Sequence, residues 1–176
     1  LQALATKVRA GASSIITQYF YNVEAFLRFR DEVRAMGLDV PVVPGIMPIT
    51  NFTQLMRFSE MCGAEVPRWI VKRLRDFGDD RASIRAFGTD VTTALCARLL
   101  AQGLTAAFGH QVLVEAKGGA SGALAAQAVS KSAADGYTLL LYSSALWIVP
   151  LMKNVSWDPQ KDFSPVILAA MAPNVL

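Results

Sequence analysis

The apolar residues of this chain fall into short runs and helical stripes that alternate along it. Residues 14–20 set Ile15, Ile16, Tyr19 and Phe20 around Thr17 and Gln18, the compact run of a buried strand. Asn22 is a good helix cap. Behind it Val23, Phe26, Leu27, Phe29, Val33 and Met36 recur with the helical period until Gly37 stops them. Residues 40–43 predict a second short strand, with Pro44, Gly45 and Pro48 breaking the chain after it. Thr50 or Asn51 caps a helix that carries Phe52, Leu55, Met56 and Phe58 and ends at Gly63. Pro67 opens another, bearing Trp69, Ile70, Val71 and Leu74. Asp79 or Asp80 then starts a long helix through Ile84, Phe87, Val91, Leu95, Leu99 and Leu100. Strands separated by helices predict a parallel α/β sheet with right-handed crossovers, and in such folds chemistry sits at the carboxyl ends of the strands. That singles out residues 17–22 and 44–51.

Beyond residue 104 the pattern restarts. It predicts a strand over 111–115, a loop over 116–121 and an alanine-rich helix over 122–134. A turn at Asp135 and Gly136 leads to a strand over 137–142 that opens onto Ser143 and Ser144. A polar connection over 155–163 leads to a further strand over 165–172.

Composition adds a boundary to this picture. The 176 residues are 53% hydrophobic and 18% charged, which excludes a disordered chain. All 11 arginines lie at or before Arg98. Residues 1–103 hold 13 basic and 10 acidic groups, whereas residues 104–176 hold four of each, so the net charge of +3 belongs to the first part. So small and interleaved an excess argues against a nucleic-acid partner. Unbroken apolar runs fall far short of the ~20 residues that span a bilayer, so no membrane insertion is expected. No basic–apolar–small leader pattern is visible either, and a reducing, cytoplasmic setting suits the two separated cysteines, Cys62 and Cys96. His110 is the single histidine, and no metal site can be assembled around it.

Taken singly, the polar and aromatic candidates each have two readings. Gln18 ends an apolar strand with an amide that could read a heterocycle edge, or could satisfy loop backbone. Phe58 could stack on a flat ligand or fill core. Lys7 could meet a phosphate or lie in solvent. Gly118, Gly119, Ala120, Ser121 and Gly122 could form an anion nest or a plain strand-to-helix loop. No carboxylate pair stands out as general acid and base, and no catalytic residue is assigned.

Two resemblances sharpen these alternatives. Residues 4–103 resemble the C-terminal part of the methylenetetrahydrofolate reductase family. The carriers are Lys7-Val8-Arg9-Ala10-Gly11-Ala12, Ile16-Thr17-Gln18-Tyr19-Phe20-Tyr21, Phe26-Leu27-Arg28-Phe29-Arg30, Val43-Pro44-Gly45-Ile46-Met47-Pro48-Ile49 and Asn51-Phe52, with Pro67, Trp69 and Gly78-Asp79-Asp80 following in order. The resemblance implies a flavin-dependent (β/α)8 TIM barrel passing reducing equivalents from NAD(P)H through FAD to a folate substrate, in one-carbon metabolism. It implies that Gln18 contacts the folate pterin, that Phe58 stacks on folate or nicotinamide, and that Lys7 and Ile16 lie against FAD. Ala5 and Thr6 stand where the family has basic residues. The stretch corresponds to roughly the last third of a barrel of about 250 residues, so the family's acidic catalytic groups are expected outside it.

Residues 97–176 resemble the substrate-binding proteins of tripartite tricarboxylate transporters. The carriers are Ala97-Arg98-Leu99-Leu100-Ala101-Gln102, Gly109-His110-Gln111-Val112-Leu113-Val114-Glu115, Gly119-Ala120-Ser121-Gly122, Ala134-Asp135-Gly136-Tyr137-Thr138-Leu139-Leu140, Asp158-Pro159 with Asp162-Phe163, and Pro165-Val166. This resemblance implies part of a periplasmic-binding-protein-like α/β lobe, with Ser143, Ser144 and Ala145 facing a carboxylate. The expected organisation is therefore a partial reductase-like barrel over 1–103 joined near residues 97–103 to a binding-protein-like segment over 104–176. A carboxylate-binding fragment and a nonfunctional chimera are the competing readings. The sequence leaves an oligomer possible.

Overall fold

The computed structural model of the chain describes residues 1–117 and 122–167. These form two compact units, Leu1–Glu115 and Ala116–Leu176.

The first unit begins with α1 (Gln2–Arg9), which the sequence pattern did not reveal, followed by β1 (Ile15–Tyr19). Helix α2 (Val23–Ala35) starts where Asn22 accepts the Glu24 N–H at 3.1 Å, and Gly37 turns the chain out at φ 71°. Strand β2 (Val42–Gly45) pairs with β1 in parallel, with Ile15 opposite Val42 and Tyr19 opposite Gly45. It starts later than expected and contains Pro44 and Gly45, which the pattern assigned to a break. A proline is tolerated in a strand where its missing N–H costs no ladder bond, and an irregularity between Ile16 and Tyr19 shifts the register there. The Gly45 N–H donates instead to Thr17 Oγ1 at 3.0 Å.

Three further helices complete this unit. Helix α3 (Phe52–Cys62) is capped by Asn51 and ended by Gly63 at φ 68°, and α4 (Arg68–Asp76) follows Pro67. Helix α5 (Arg81–Phe108) starts at Asp80, whose carboxylate accepts the N–H groups of Ala82 and Ser83. It runs eight residues beyond the last apolar position of the sequence stripe, to Gly109 at φ 69°. The expected join at 97–103 therefore lies within one unbroken helix. By length and composition alone α5 could cross a membrane, a property that core helices of soluble proteins share. Its Ile84, Gly88 and Leu95 are buried, and Arg98 pairs with Glu24 of α2 at 2.8 Å.

Burial divides the first unit into two clusters. Ala5, Ile15, Val33 and Leu38 form one, uniting α1, β1 and α2. Tyr19, Tyr21, Ile49, Leu55, Ile70, Leu74 and Ile84 form the other, uniting β1 with α3, α4 and α5. Ile70 and Leu74 are fully buried, and each contributes about 1.5–3 kcal/mol. The helices thus cover the side of the sheet that carries Ile15 and Tyr19. Ile16, Gln18 and Val43 are exposed.

The second unit contains α6 (Ala123–Ser130) and α7 (Ala145–Met152), with Ala126, Val149 and Trp157 buried together. Helix α6 is shorter than the pattern over 122–134. Helix α7, with Pro150 inside it, was not expected at all. No strand forms over 111–115, which fall in the first unit, or over 137–142. In the latter Leu140 packs on the cluster while Tyr137, Leu139 and Leu141 are exposed. The alternation of a strand is present, but no neighbouring strand among the described residues completes a ladder, and backbone groups left unpaired by a ladder turn to water. The expected strand over 165–172 lies partly, and the glycine-rich stretch 118–121 wholly, outside the described residues.

Candidate functional site

The candidate site lies on β1 and α3. Strand alternation fixes the side chains of β1: Ile15 and Tyr19 are buried, whereas Ile16 and Gln18 are exposed. Ile16 is 75% exposed, and Val43, its partner on β2, is exposed beside it. Gln18 Oε1 accepts the Tyr19 N–H at 3.0 Å. Only the carbonyl end of the amide can accept from an N–H, so this bond orients the amide and leaves its NH2 group as the end available to a ligand. Of the two readings that its sequence context offered, the backbone-holding one is what this bond displays.

Phe58 sits on the second turn of α3. Its ring is 46% exposed and stacks on the buried Tyr19 ring, with 5.8 Å between centroids and 19° between planes. Phe58 lines a cleft of about 460 Å³ with Met47, Pro48, Ile49, Arg57 and Met61. The lining is largely apolar with one guanidinium, a composition suited to a flat ring with a charged or polar edge. The adjoining cleft, about 530 Å³, starts at Asn51 and is lined by Arg75, Asp79 and Arg81.

The polar groups behind Phe58 were not apparent from the sequence. Tyr19 Oη lies 2.7 Å from Ser59 Oγ and 3.8 Å from Cys62 Sγ. Tyr21 Oη donates to the Met47 carbonyl at 3.2 Å, tying the end of β1 to the cleft wall. Burial pushes the Tyr19 hydroxyl above the ordinary tyrosine value. Burial pushes Tyr21 further still, helped by the nearby Tyr19 hydroxyl. A usable signal was present: Leu55, Phe58, Ser59 and Cys62 follow the helical period, which turns a serine and a cysteine toward β1.

The remaining candidates stand elsewhere. Lys7 is exposed in the last turn of α1, and its ammonium makes no ion pair among the described residues. Ser143 and Ser144 precede α7, with Ser144 as its cap residue and Ala145 as its first residue rather than part of a loop. Ser143 Oγ accepts the Ala145 N–H at 3.3 Å.

A flavin ring system offers two apolar faces and a polar edge. The exposed Ile16 and Val43 provide an apolar surface and Gln18 provides donors beside it, so the residues present fit part of such a group.

Known proteins resemble the chain in two stretches. The family model described as Methylenetetrahydrofolate reductase matches residues 1–112, and that described as Tripartite tricarboxylate transporter family receptor matches residues 96–176. Both cover residues 96–112, which include the last part of α5. Methylenetetrahydrofolate reductase (NADH) 1 of Arabidopsis thaliana is 37% identical over 105 residues, 60% of this chain and 18% of that protein. The 5,10-methylenetetrahydrofolate reductase of Escherichia coli is 36% identical over 101 residues, 57% of this chain and 34% of that protein. Methylenetetrahydrofolate reductase 2 of Saccharomyces cerevisiae is 39% identical over 103 residues, 58% of this chain and 17% of that protein. The chain thus spans between about a sixth and a third of these relatives.

Proposed function

The chain belongs to the methylenetetrahydrofolate reductase family, and from that premise we propose that its first unit forms the folate-stacking portion of a flavin-dependent reductase. In this reading β1 and β2 are two strands of a (β/α)8 barrel, with Ile16, Gln18 and Val43 facing its interior. The observation that carries the reading is the Phe58 ring, half exposed at an apolar cleft and backed by a buried aromatic. Phe58 offers its open face to the pterin or nicotinamide ring. Gln18 presents its NH2 to the acceptor edge of the pterin, oriented by its own bond to Tyr19 N–H. Ile16 supplies apolar contact to the isoalloxazine, and Lys7 a cation to the phosphate end. Bound FAD would supply the redox chemistry between reduced nicotinamide and the folate methylene group. The names of plant relatives specify NADH as donor, which supports a nicotinamide partner of that kind here. A reductase of this type acts in one-carbon metabolism in the cytoplasm.

Titration of the purified protein with FAD and with folic acid tests this. Saturable quenching of flavin fluorescence and of protein fluorescence is expected. Phe58→Ala should weaken folic acid binding roughly three- to tenfold, the factor an aromatic stack contributes. Flavin fluorescence unchanged up to high micromolar protein would overturn the reading.

A second reading rests on the match of residues 96–176 to the tricarboxylate receptor family. Here the second unit is a piece of a carboxylate-binding lobe, with Ser143, Ser144 and Ala145 toward the ligand. Citrate that raises the melting temperature of the second unit, detected through Trp147 and Trp157, would favour it. Neither ligand having an effect would favour a chimera without activity.

A further inference from the structure

Tyr19 fills the space behind Phe58. Its ring is stacked on that of Phe58 and is itself met edge-on by Tyr21, at 6.0 Å and 66°. The phenol is 6% exposed, and its hydroxyl is held by a short buried hydrogen bond. The direction of that bond follows from its partners. Ser59 Oγ has one proton and donates it to the Leu55 carbonyl at 2.7 Å, so it accepts from Tyr19. The half-buried Cys62 thiol has two acceptors in reach, the Tyr19 oxygen at 3.8 Å and the Ser59 carbonyl at 3.9 Å. A buried chain with each donor used is stiff, because losing one link strands a polar group away from water.

Ser59 is the residue next to Phe58 on α3. Tyr19 is therefore fastened to the ring of Phe58 through its face and to the helix carrying that ring through its hydroxyl. A half-exposed phenylalanine otherwise samples several rotamers, and fixing it on ligand binding costs free energy. We infer that Tyr19 is a positioning residue that holds the Phe58 ring ready for a flat heterocyclic ligand, with Ser59 and Cys62 setting the angle of the phenol. The inference rests on the reading of Phe58 as the stacking group, but the geometry it describes exists without ligand.

The test uses the full 176-residue chain labelled with 4-fluorophenylalanine, with the Phe58 fluorine resonance identified by Phe58→Leu. In Tyr19→Leu the Phe58 resonance is expected to move as the ring current of Tyr19 is lost, and folic acid should bind roughly three- to tenfold more weakly. Tyr19→Phe, which keeps the ring, replaces the hydroxyl by the fluorine of the label and adds one resonance of its own, should retain most of the Phe58 shift and recover affinity to within about twofold, with a broader Phe58 line. Ser59→Ala should broaden it likewise. If Tyr19→Leu does not fold, the line widths in Tyr19→Phe and Ser59→Ala decide. A Phe58 resonance unchanged in position and width across the folded variants overturns the positioning role whatever folic acid does. A resonance that responds in a protein that binds no folic acid leaves the positioning role standing and removes the folate reading alone.

Discussion

Gly88 of α5 shows how one missing side chain brings an element into place. A Cβ at this position would fall inside van der Waals contact with the carbonyl group of Ile49, beside the cleft. Alanine gains about 1 kcal/mol of helix propensity over glycine, whereas forcing extra atoms into a packed contact costs about 1–3 kcal/mol or more. The obstacle is backbone and cannot swing aside, so the second effect wins. Gly88→Ala is expected to lower the melting temperature by several degrees and, under the proposed folate reading, to weaken folic acid binding by displacing Ile49; thermal melts and titrations check both. Two titrating residues give predictions with opposite signs. The hydroxyl and backbone N–H of Ser83, with that of Ala82, hold Asp80 below the usual carboxylate range. A depressed folded value stabilises the fold above the ordinary 3.8 and is lost as pH falls through the folded value. Asp80→Asn keeps a capping oxygen without the titration, so its melting temperature should fall less steeply below about pH 4. Tyr21 is raised instead, so its contribution is complete below the ordinary 10.0 and is lost as pH rises beyond it. Tyr21→Phe loses the bond to Met47, about 1 kcal/mol at neutral pH, and the gap to wild type should narrow in melts between pH 9 and 11.

At the scale of elements, the long helix α5 is the one most open to test. Gly103 lies inside it with nothing near the position of a Cβ and no left-handed backbone. Gly103→Ala should therefore stabilise the first unit by about 0.5–1 kcal/mol, the reverse of Gly88→Ala, measurable by urea unfolding. The exposed pair of Arg98 with Glu24 should matter less, below about 1 kcal/mol in the same experiment with Arg98→Ala. Sequence pattern located helices α2 to α5 well because their caps are explicit: Asn22, Asn51, Pro67 and Asp80 all stand where the helices begin. It missed α1, which has no side-chain cap, and α7, whose Pro150 reads as a breaker. It placed strands at 111–115 and 137–142 because alternation records which side chains are buried but not whether a partner strand exists. At the site, Gln18 and Phe58 could be named from β1 and α3, whereas the helical period gives only the face of Ser59 and Cys62 and not their meeting with Tyr19. Their role depends on two elements meeting across 40 residues of chain.

For the whole molecule, the two units carry separate clusters and separate tryptophans. Trp69 belongs to the first unit, Trp147 and Trp157 to the second. The second unit's buried cluster is small, and its Trp157 Nε1 is buried with no hydrogen-bond partner among the described residues, which costs about 1–3 kcal/mol. Thermal unfolding followed by fluorescence should give a lower transition in Trp69→Phe, which reports the second unit, than in the Trp147→Phe/Trp157→Phe double variant, which reports the first. Coincident transitions would show one cooperative body. The exposed Ile16 and Val43 have an effect of another kind, on the fate of the chain in a cell. With β1 and β2 as the whole sheet among the described residues, each has an outer edge without a partner strand, next to these apolar side chains. Exposed strand edges and apolar surface of this kind are what chaperones and proteases act on. The abundance of the chain in a cell should therefore depend on how quickly that edge finds cover.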